Sequence, residues 1–405
     1  MVKNMSAYFS NQPDASEIVD RIKGYPSWLE IDLDMVGHNI EQVRSWTGVE
    51  VIPCVKSNAY GHGIVPIVAY MTKKGIKNVL VAKLGEALQL RDAGLDVGIV
   101  SIDPLFSVEQ YETVVEQGIT QAIYRFESAE RLSSVAEKLG KKAEAWVKVD
   151  TGLRRVGVKW DEAANLIRRV TELPNLELTG TFSTLSESDE LDKAQVERLL
   201  SVRSECRDKG LEVGTMSIAS SNAVIHKPYS YLDAVRPGLM LMGVYPEPED
   251  VNRGIDLKQS IMWKARVEQV KIVEEGESLT YSRRFVAPRR MKVGTVHIGY
   301  YDGYPRGLTK KGKIRIGDDI KDVLGTVSVN HFLVDLTDTD IDVGDTVEAI
   351  SRQAPNDVMG ASMEAGIMTY SLVNALHMLT PRVYIEKGKP VALSEPILFE
   401  KQFKS

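Results

Sequence analysis

Short apolar runs alternate with amphipathic stretches over about the first 250 residues. "NVLVA" (78–82) precedes "LGEALQLRDAG", "VGIVSI" (97–102) precedes "SVEQYETVVEQG", "AWVKV" (145–149) precedes "DEAANLIRRVTEL", and "LELTGTF" (176–182) precedes "DKAQVERLLSVRSECRDKG". Each amphipathic piece spaces its apolar residues three or four apart, and several stop at glycine, as helices do. Strand and helix repeated about eight times imply a parallel sheet and, most economically, an α/β fold of the (β/α)₈ barrel type. An open doubly wound sheet is the alternative, but no GxGxxG follows the first strand.

From about residue 256 the texture changes. "IMWKARVEQVKIV", "VGTVHIGY", "DVLGTVSV" and "FLVDLTD" are joined by tight Gly/Asp turns, and helical periodicity returns only at "NDVMGASMEAGIMTYSLVNALHML". This predicts a second, mainly β domain. The expected layout is an N-terminal extension (1–27), a barrel (28–252) and a mainly β C-terminal domain (253–405).

Composition narrows the function. The chain has 405 residues, 43% of them apolar and 26% charged, enough for two ordinary globular domains. Its net charge of −6 is mixed along the chain, with no basic run to neutralise phosphates, so nucleic acid is not an expected partner. No apolar stretch approaches the roughly 20 residues of a membrane span, and the first 27 residues lack a secretory apolar centre. A cytoplasmic protein acting on small molecules is the expectation, with no membrane partner. Cys54 and Cys206 cannot build a framework, and no CxxC or His/Cys cluster suggests a metal. Cys54 reads as a small buried hydrophobe.

One stretch stands out, "VIPCVKSNAYGHG" (51–63). Val51 to Val55 reads as a buried strand, with Lys56 where the strand meets its loop. Barrels build their active sites at the C-terminal ends of their strands. A desolvated lysine there can condense with a carbonyl, either a sugar-like substrate or pyridoxal phosphate. A lysine whose stem packs while its head reaches water fits the spacing equally well.

"WLEIDLDMVGHNIEQVR" followed by "VEVIPCVKSNAYGHG" closely resembles the opening of the alanine racemase family, whose signature around the cofactor lysine reads KADAYGHG. "VAKLGEALQLRDAG", "KVDTGLRRVGV" (148–158), "AVRPGLMLMGVYP" (234–246), "IGYYDGYPRGL" (298–308), "LGTVSVNHFLVDLTD" (324–338) and "GIMTYSL" (366–372) resemble later family blocks in order. The resemblance implies a (β/α)₈ barrel with a β domain and a head-to-tail homodimer with shared sites. It also implies a pyridoxal phosphate cofactor and interconversion of L- and D-amino acids. By the same resemblance Lys56 carries the cofactor and serves as one base, while Tyr60, Ser221, the amides of Gly238 and Leu239, and Tyr370 hold its phosphate. Arg236 faces the pyridine nitrogen. An arginine does not give that nitrogen a proton, so the ring remains a weak electron sink, whereas a decarboxylase or transaminase would gain from a carboxylate.

Racemisation needs a base on each face of Cα, and the resemblance makes Tyr300, from the other protomer, the second. A phenol is a weak acid, so this role calls for cationic neighbours. Arg155 matches an arginine that contacts the cofactor's phenolic oxygen and the substrate carboxylate, and its fork suits both. Lys148 matches a lysine that many members carbamylate to orient that arginine.

Three stretches depart from the family pattern. Ser183, Thr184 and Leu185 replace THF, Ser220 stands at the usual asparagine of "SIASSNA", and Val329, Asn330 and His331 replace MDQ on the substrate side. Thr184, Ser220 and Val329 are all smaller than what they replace, which predicts a roomier pocket and an amino acid larger than alanine, with alanine itself retained if neighbours refill the space. A fold-related decarboxylase and a non-catalytic pyridoxal phosphate carrier are the competing functions. Neither a His-x-Gly-Ser nor an EPGR run supports the first, and the second domain counts against the other.

Overall fold

A computed structural model describes residues 7–395, so the outermost parts of the predicted extension (1–6) and β domain (396–405) lie outside the described residues. Eight parallel strands form the first sheet: Glu50–Val51, Asn78–Val81, Gly98–Ser101, Thr120–Ile123, Ala143–Asp150, Leu176–Phe182, Thr215–Ser217 and Ala234–Val235. The last strand pairs with the first, in register Ala234 to Glu50. The sheet closes through a parallel bridge between Cys54 and Leu80, where Val55 N–H donates to Leu80 O at 2.9 Å and Leu80 N–H to Pro53 O at 2.8 Å. The (β/α)₈ barrel expected from the alternating pattern is therefore present.

Side chains fill the barrel rather than leaving a pore. Ile52, Leu80, Val100, Ala122, Trp146, Phe182 and Ala234 form one buried cluster, with Cys54 packed against it. Trp146 is accommodated because Gly180 faces it: a Cβ there would lie 2.3 Å from the indole. The helices Leu84–Asp92, Val108–Glu116, Trp160–Thr171 and Asp189–Asp208 follow their strands and bury one face each, as the three-and-four spacing requires.

The second domain is a closed antiparallel barrel of six strands. Ile261–Val273 pairs on one side with Met291–Val296 and on the other with Thr346–Ile350, while Phe332–Asp335, Asp319–Leu324 and Lys313–Ile316 complete the ring. "NDVMGASMEAGIMTYSLVNALHML" divides at Gly366 into helices Val358–Ala365 and Thr369–Ala375.

The expected boundary at residue 28 shifts. Ser27–Asp32 pairs antiparallel with Ile261–Val273 and parallel with Arg382–Glu386, so "WLEID" belongs to the second domain's sheet, and the (β/α)₈ ring starts only at Glu50. An apolar run reports burial, not which sheet buries it. Within the expected extension, Asp14 caps helix Ala15–Ile22, whose Ile18 packs with Trp28, Val383 and Leu393. The N-terminal segment is thus a brace on the second domain.

Candidate active site

After the first barrel strand the chain makes a left-handed turn. Ser57, Asn58, Ala59 and Tyr60 have φ of 56°, 56°, 50° and 53°. Such a conformation costs an L-residue roughly 1–2 kcal/mol, so the surroundings must hold it. Glu86 accepts hydrogen bonds from Asn58 N at 3.1 Å, Ala82 N at 3.0 Å and Lys83 N at 3.1 Å. Asn58 Oδ1 accepts from Ile64 N at 2.8 Å. From the second domain, Arg382 Nε donates to Gly61 O at 2.8 Å and the Tyr384 hydroxyl to His62 O at 2.9 Å.

The glycines of "YGHG" follow from this crowding. Gly61 has φ +79° and a Cβ there would lie 2.1 Å from Val373 O; Gly63 has φ +94° and a Cβ there would lie 1.9 Å from the Tyr384 hydroxyl. His62 is fully buried, with Nδ1 2.9 Å from Tyr60 O. A carbonyl cannot donate, so Nδ1 carries the proton, and Nε2 has no hydrogen-bond partner among the described residues. Burial, reinforced by Arg382, pulls this imidazole down to about 4.

A cavity of about 670 Å³ opens at the C-terminal ends of the barrel strands. Lys56, Tyr60, Lys148, Arg155, Thr184, Ser220, Ser221, Arg236, Gly238 and Tyr370 all line it. Leu239, next to Gly238, is buried behind it as the first residue of a short 3₁₀ turn. Tyr124, Glu187 and Glu247 also line the cavity, though nothing in their local sequence marks them.

One wall is rich in donors. Gly238 N donates to Ser221 Oγ at 3.0 Å, and the Tyr60 and Tyr370 rings meet edge to face at 5.8 Å. A Cβ on Gly238 would lie 2.2 Å from the Tyr60 hydroxyl, so the close approach requires glycine. Burial pushes the Tyr60 phenol far above its usual range, and burial with Glu187 nearby pushes Tyr370 up to about 12. Both hydroxyls therefore keep their protons and can donate to an anion.

The opposite wall is cationic. Arg236 is buried, donating to Ser217 Oγ and Ser183 O at 2.6 Å each, with its guanidinium 5.0 Å from the Phe182 ring. Burial lowers it to about 10, which still leaves it charged at neutral pH. No carboxylate bonds it among the described residues. Lys148 Nζ donates to Thr184 Oγ1 at 2.6 Å and lies 4.5 Å from the same ring. Burial first, then Arg236 and Arg155, hold this amine well below the usual lysine range.

Profiles of two families cover most of this chain: "Alanine racemase, N-terminal domain" matches residues 31–246 and "Alanine racemase, C-terminal domain" residues 260–384. The chain belongs to the alanine racemase family. An alanine racemase of Clostridium perfringens (strain SM101 / Type A) is 33% identical over 90% of this chain and 97% of its own. One from Desulforamulus reducens is 34% identical over 89% and 99%. Among solved structures, alanine racemase of Clostridium difficile 630 superposes with a TM-score of 0.88 at 26% identity, covering 93% of this chain and 100% of that one. That of Bartonella henselae, solved with covalently bound pyridoxal phosphate, superposes with a TM-score of 0.77 at 27% identity, covering 89% and 100%.

Alanine racemases depend on pyridoxal phosphate, and the cavity fits that group. It offers a lysine, a cradle of hydroxyls and an amide closed by a glycine that admits no Cβ, and a buried arginine. Three residues singled out by the alanine racemase resemblance are elsewhere. Tyr300, Val329 and Asn330 lie in the β domain and do not line the cavity of their own chain. Tyr300 is 44% exposed and Val329 45%. Backbone bonds join their segments, from Tyr300 N to Ser328 O at 3.1 Å and Tyr301 N to Val329 O at 3.0 Å. The Arg306 guanidinium lies 5.7 Å from the centre of the Tyr300 ring.

Proposed function

We propose that this protein is a pyridoxal phosphate-dependent amino acid racemase, a homodimer in which Tyr300 of each protomer completes the other's site. The observation that carries the reading is a cavity holding Lys56 together with a buried arginine, Arg236, that among the described residues bonds neutral groups alone. Pyridoxal phosphate, when bound, draws electrons from the amino acid's Cα and acidifies its hydrogen.

The rest of the work falls to side chains. Lys56 holds the cofactor, Ser221, Tyr60, Tyr370 and the amides of Gly238 and Leu239 bind its phosphate, and Arg155 receives the substrate carboxylate. Arg236 faces the ring nitrogen without surrendering a proton, which keeps the electron sink weak and favours return of the proton to Cα. Lys56 Nζ moves the proton on one face and the Tyr300 hydroxyl of the partner subunit moves it on the other. Exposure of Tyr300 beside Val329 and Arg306 supports a role outside its own protomer.

The preferred substrate is an amino acid larger than alanine. Thr184 and Ser220 line the cavity with less bulk than histidine and asparagine would. Deuterium exchange at Cα, measured from both enantiomers of a panel of amino acids beside a carbon dioxide assay, tests the reading. Exchange from both enantiomers without carbon dioxide release is expected. Carbon dioxide release without such exchange would overturn the racemase. Alanine ahead of every larger amino acid by a hundredfold in kcat/KM would overturn only the larger substrate.

A further inference from the structure

We infer that the β domain carries a binding site for a divalent transition-metal ion, formed by Glu268, His297 and His331. The three come from separate elements. Glu268 is the extra residue of a β-bulge in Ile261–Val273, where the pairing with Met291–Val296 slips between Val267 and Gln269. His297 directly follows Met291–Val296, and His331 directly precedes Phe332–Asp335. A bulge turns a side chain away from the regular alternation of the strand, here toward the two imidazoles.

The geometry suits a single ion. Glu268 Oε2 is 3.0 Å from His297 Nδ1 and 3.0 Å from His331 Nε2, and all three ligand atoms lie within 4.8 Å of one another. The rings stand nearly perpendicular, at 77°, with centroids 4.7 Å apart. Tetrahedral zinc with bonds of about 2.0–2.1 Å separates its ligand atoms by a little over 3 Å, which both Glu268 contacts approach and which rotation of the two half-exposed imidazoles would give the histidine pair. Two imidazoles and one carboxylate select zinc, nickel or cobalt over magnesium and calcium, which take oxygen ligands. The side chains are 51%, 41% and 40% exposed, which leaves the fourth position to water.

The site lies at the root of the loops that carry Tyr300 and Val329. His297 precedes Tyr300 by three positions and His331 follows Val329 by two, while Ser328 N donates to His331 O at 2.8 Å. An ion here would brace that pair of loops. Because metal uptake is read without turnover, its failure leaves the racemase reading untouched.

The test uses the cofactor-loaded protein without a histidine tag, stripped with EDTA and titrated with zinc chloride by calorimetry, with the thermal midpoint followed in parallel. Wild type should take up about one zinc per chain and gain thermal stability. His297→Ala, His331→Ala and the isosteric Glu268→Gln should each weaken uptake roughly tenfold or more and abolish the gain. If wild type takes up no zinc, the cluster is only a hydrogen-bonded trio and the inference fails. Uptake unchanged in the three variants would put the ion elsewhere and overturn it equally.

Discussion

The Arg382 guanidinium donates to the carbonyl of Gly61 at 2.8 Å across 321 positions of sequence. The second domain thereby grips the loop that ends in the lysine turn, while Arg382 also bonds Thr380 O at 2.8 Å within its own domain. A run of left-handed residues is unfavourable alone and persists here because both domains and Glu86 hold its ends. The position of Lys56 is therefore a property of the interface between domains.

Gly61→Ala is expected to be among the most damaging small substitutions. Its Cβ would meet Val373 O at 2.1 Å while the residue holds φ +79°. Chemical denaturation should show a loss of about 2 kcal/mol or more. A loss below 0.5 kcal/mol would mean that the loop relaxes freely.

Lys56→Ala should abolish racemisation and the visible absorption of the lysine-bound cofactor. Tyr300→Phe should keep that absorption and lose Cα exchange from one enantiomer more than from the other. Mixing the two variants should restore activity through heterodimers with one intact site. Subunit exchange without recovered activity would place both bases in one chain.

Lys148 should be carbamylated in solution. An amine held well below the usual lysine range by burial first and by two arginines next can bond the carbon of CO₂ and release a proton, and the resulting anion would offset the charge of Arg155 and Arg236. Protein equilibrated with ¹³C-bicarbonate should show a carbamate carbon resonance that Lys148→Ala lacks. Identical spectra from both proteins would exclude the modification.

His62 should make the fold acid-sensitive. Its imidazole drops from 6.5 to about 4 on folding, so its contribution is complete above 6.5. As pH falls from 6.5 to 4 the unfolded chain gains a proton that the native state refuses, and stability declines by about 3 kcal/mol. Unfolding free energies between pH 7 and 4 should fall more steeply for wild type than for His62→Gln. Parallel curves would assign the acid sensitivity to other groups.

Periodicity alone determined the two-part architecture. "LELTGTF" is strand Leu176–Phe182 and "IMWKARVEQVKIV" is strand Ile261–Val273 to the residue, because burial on both faces or one leaves its mark on neighbouring positions. The family blocks marked Lys56, Arg236 and Tyr370, and the cavity gathers all three. Only the tertiary structure decided that "WLEID" joins the second sheet, since hydrogen-bond partners leave no local trace. It alone gave Gly61 and Gly63 their reason, in contacts with Val373 and Tyr384 more than 300 positions away. His297 and His331 are 34 residues apart with no spacing that signals a ligand set, and a strand bulge at Glu268 makes them neighbours. Sequence patterns record the burial of each segment, whereas a site is made of distances between segments that only the folded chain sets.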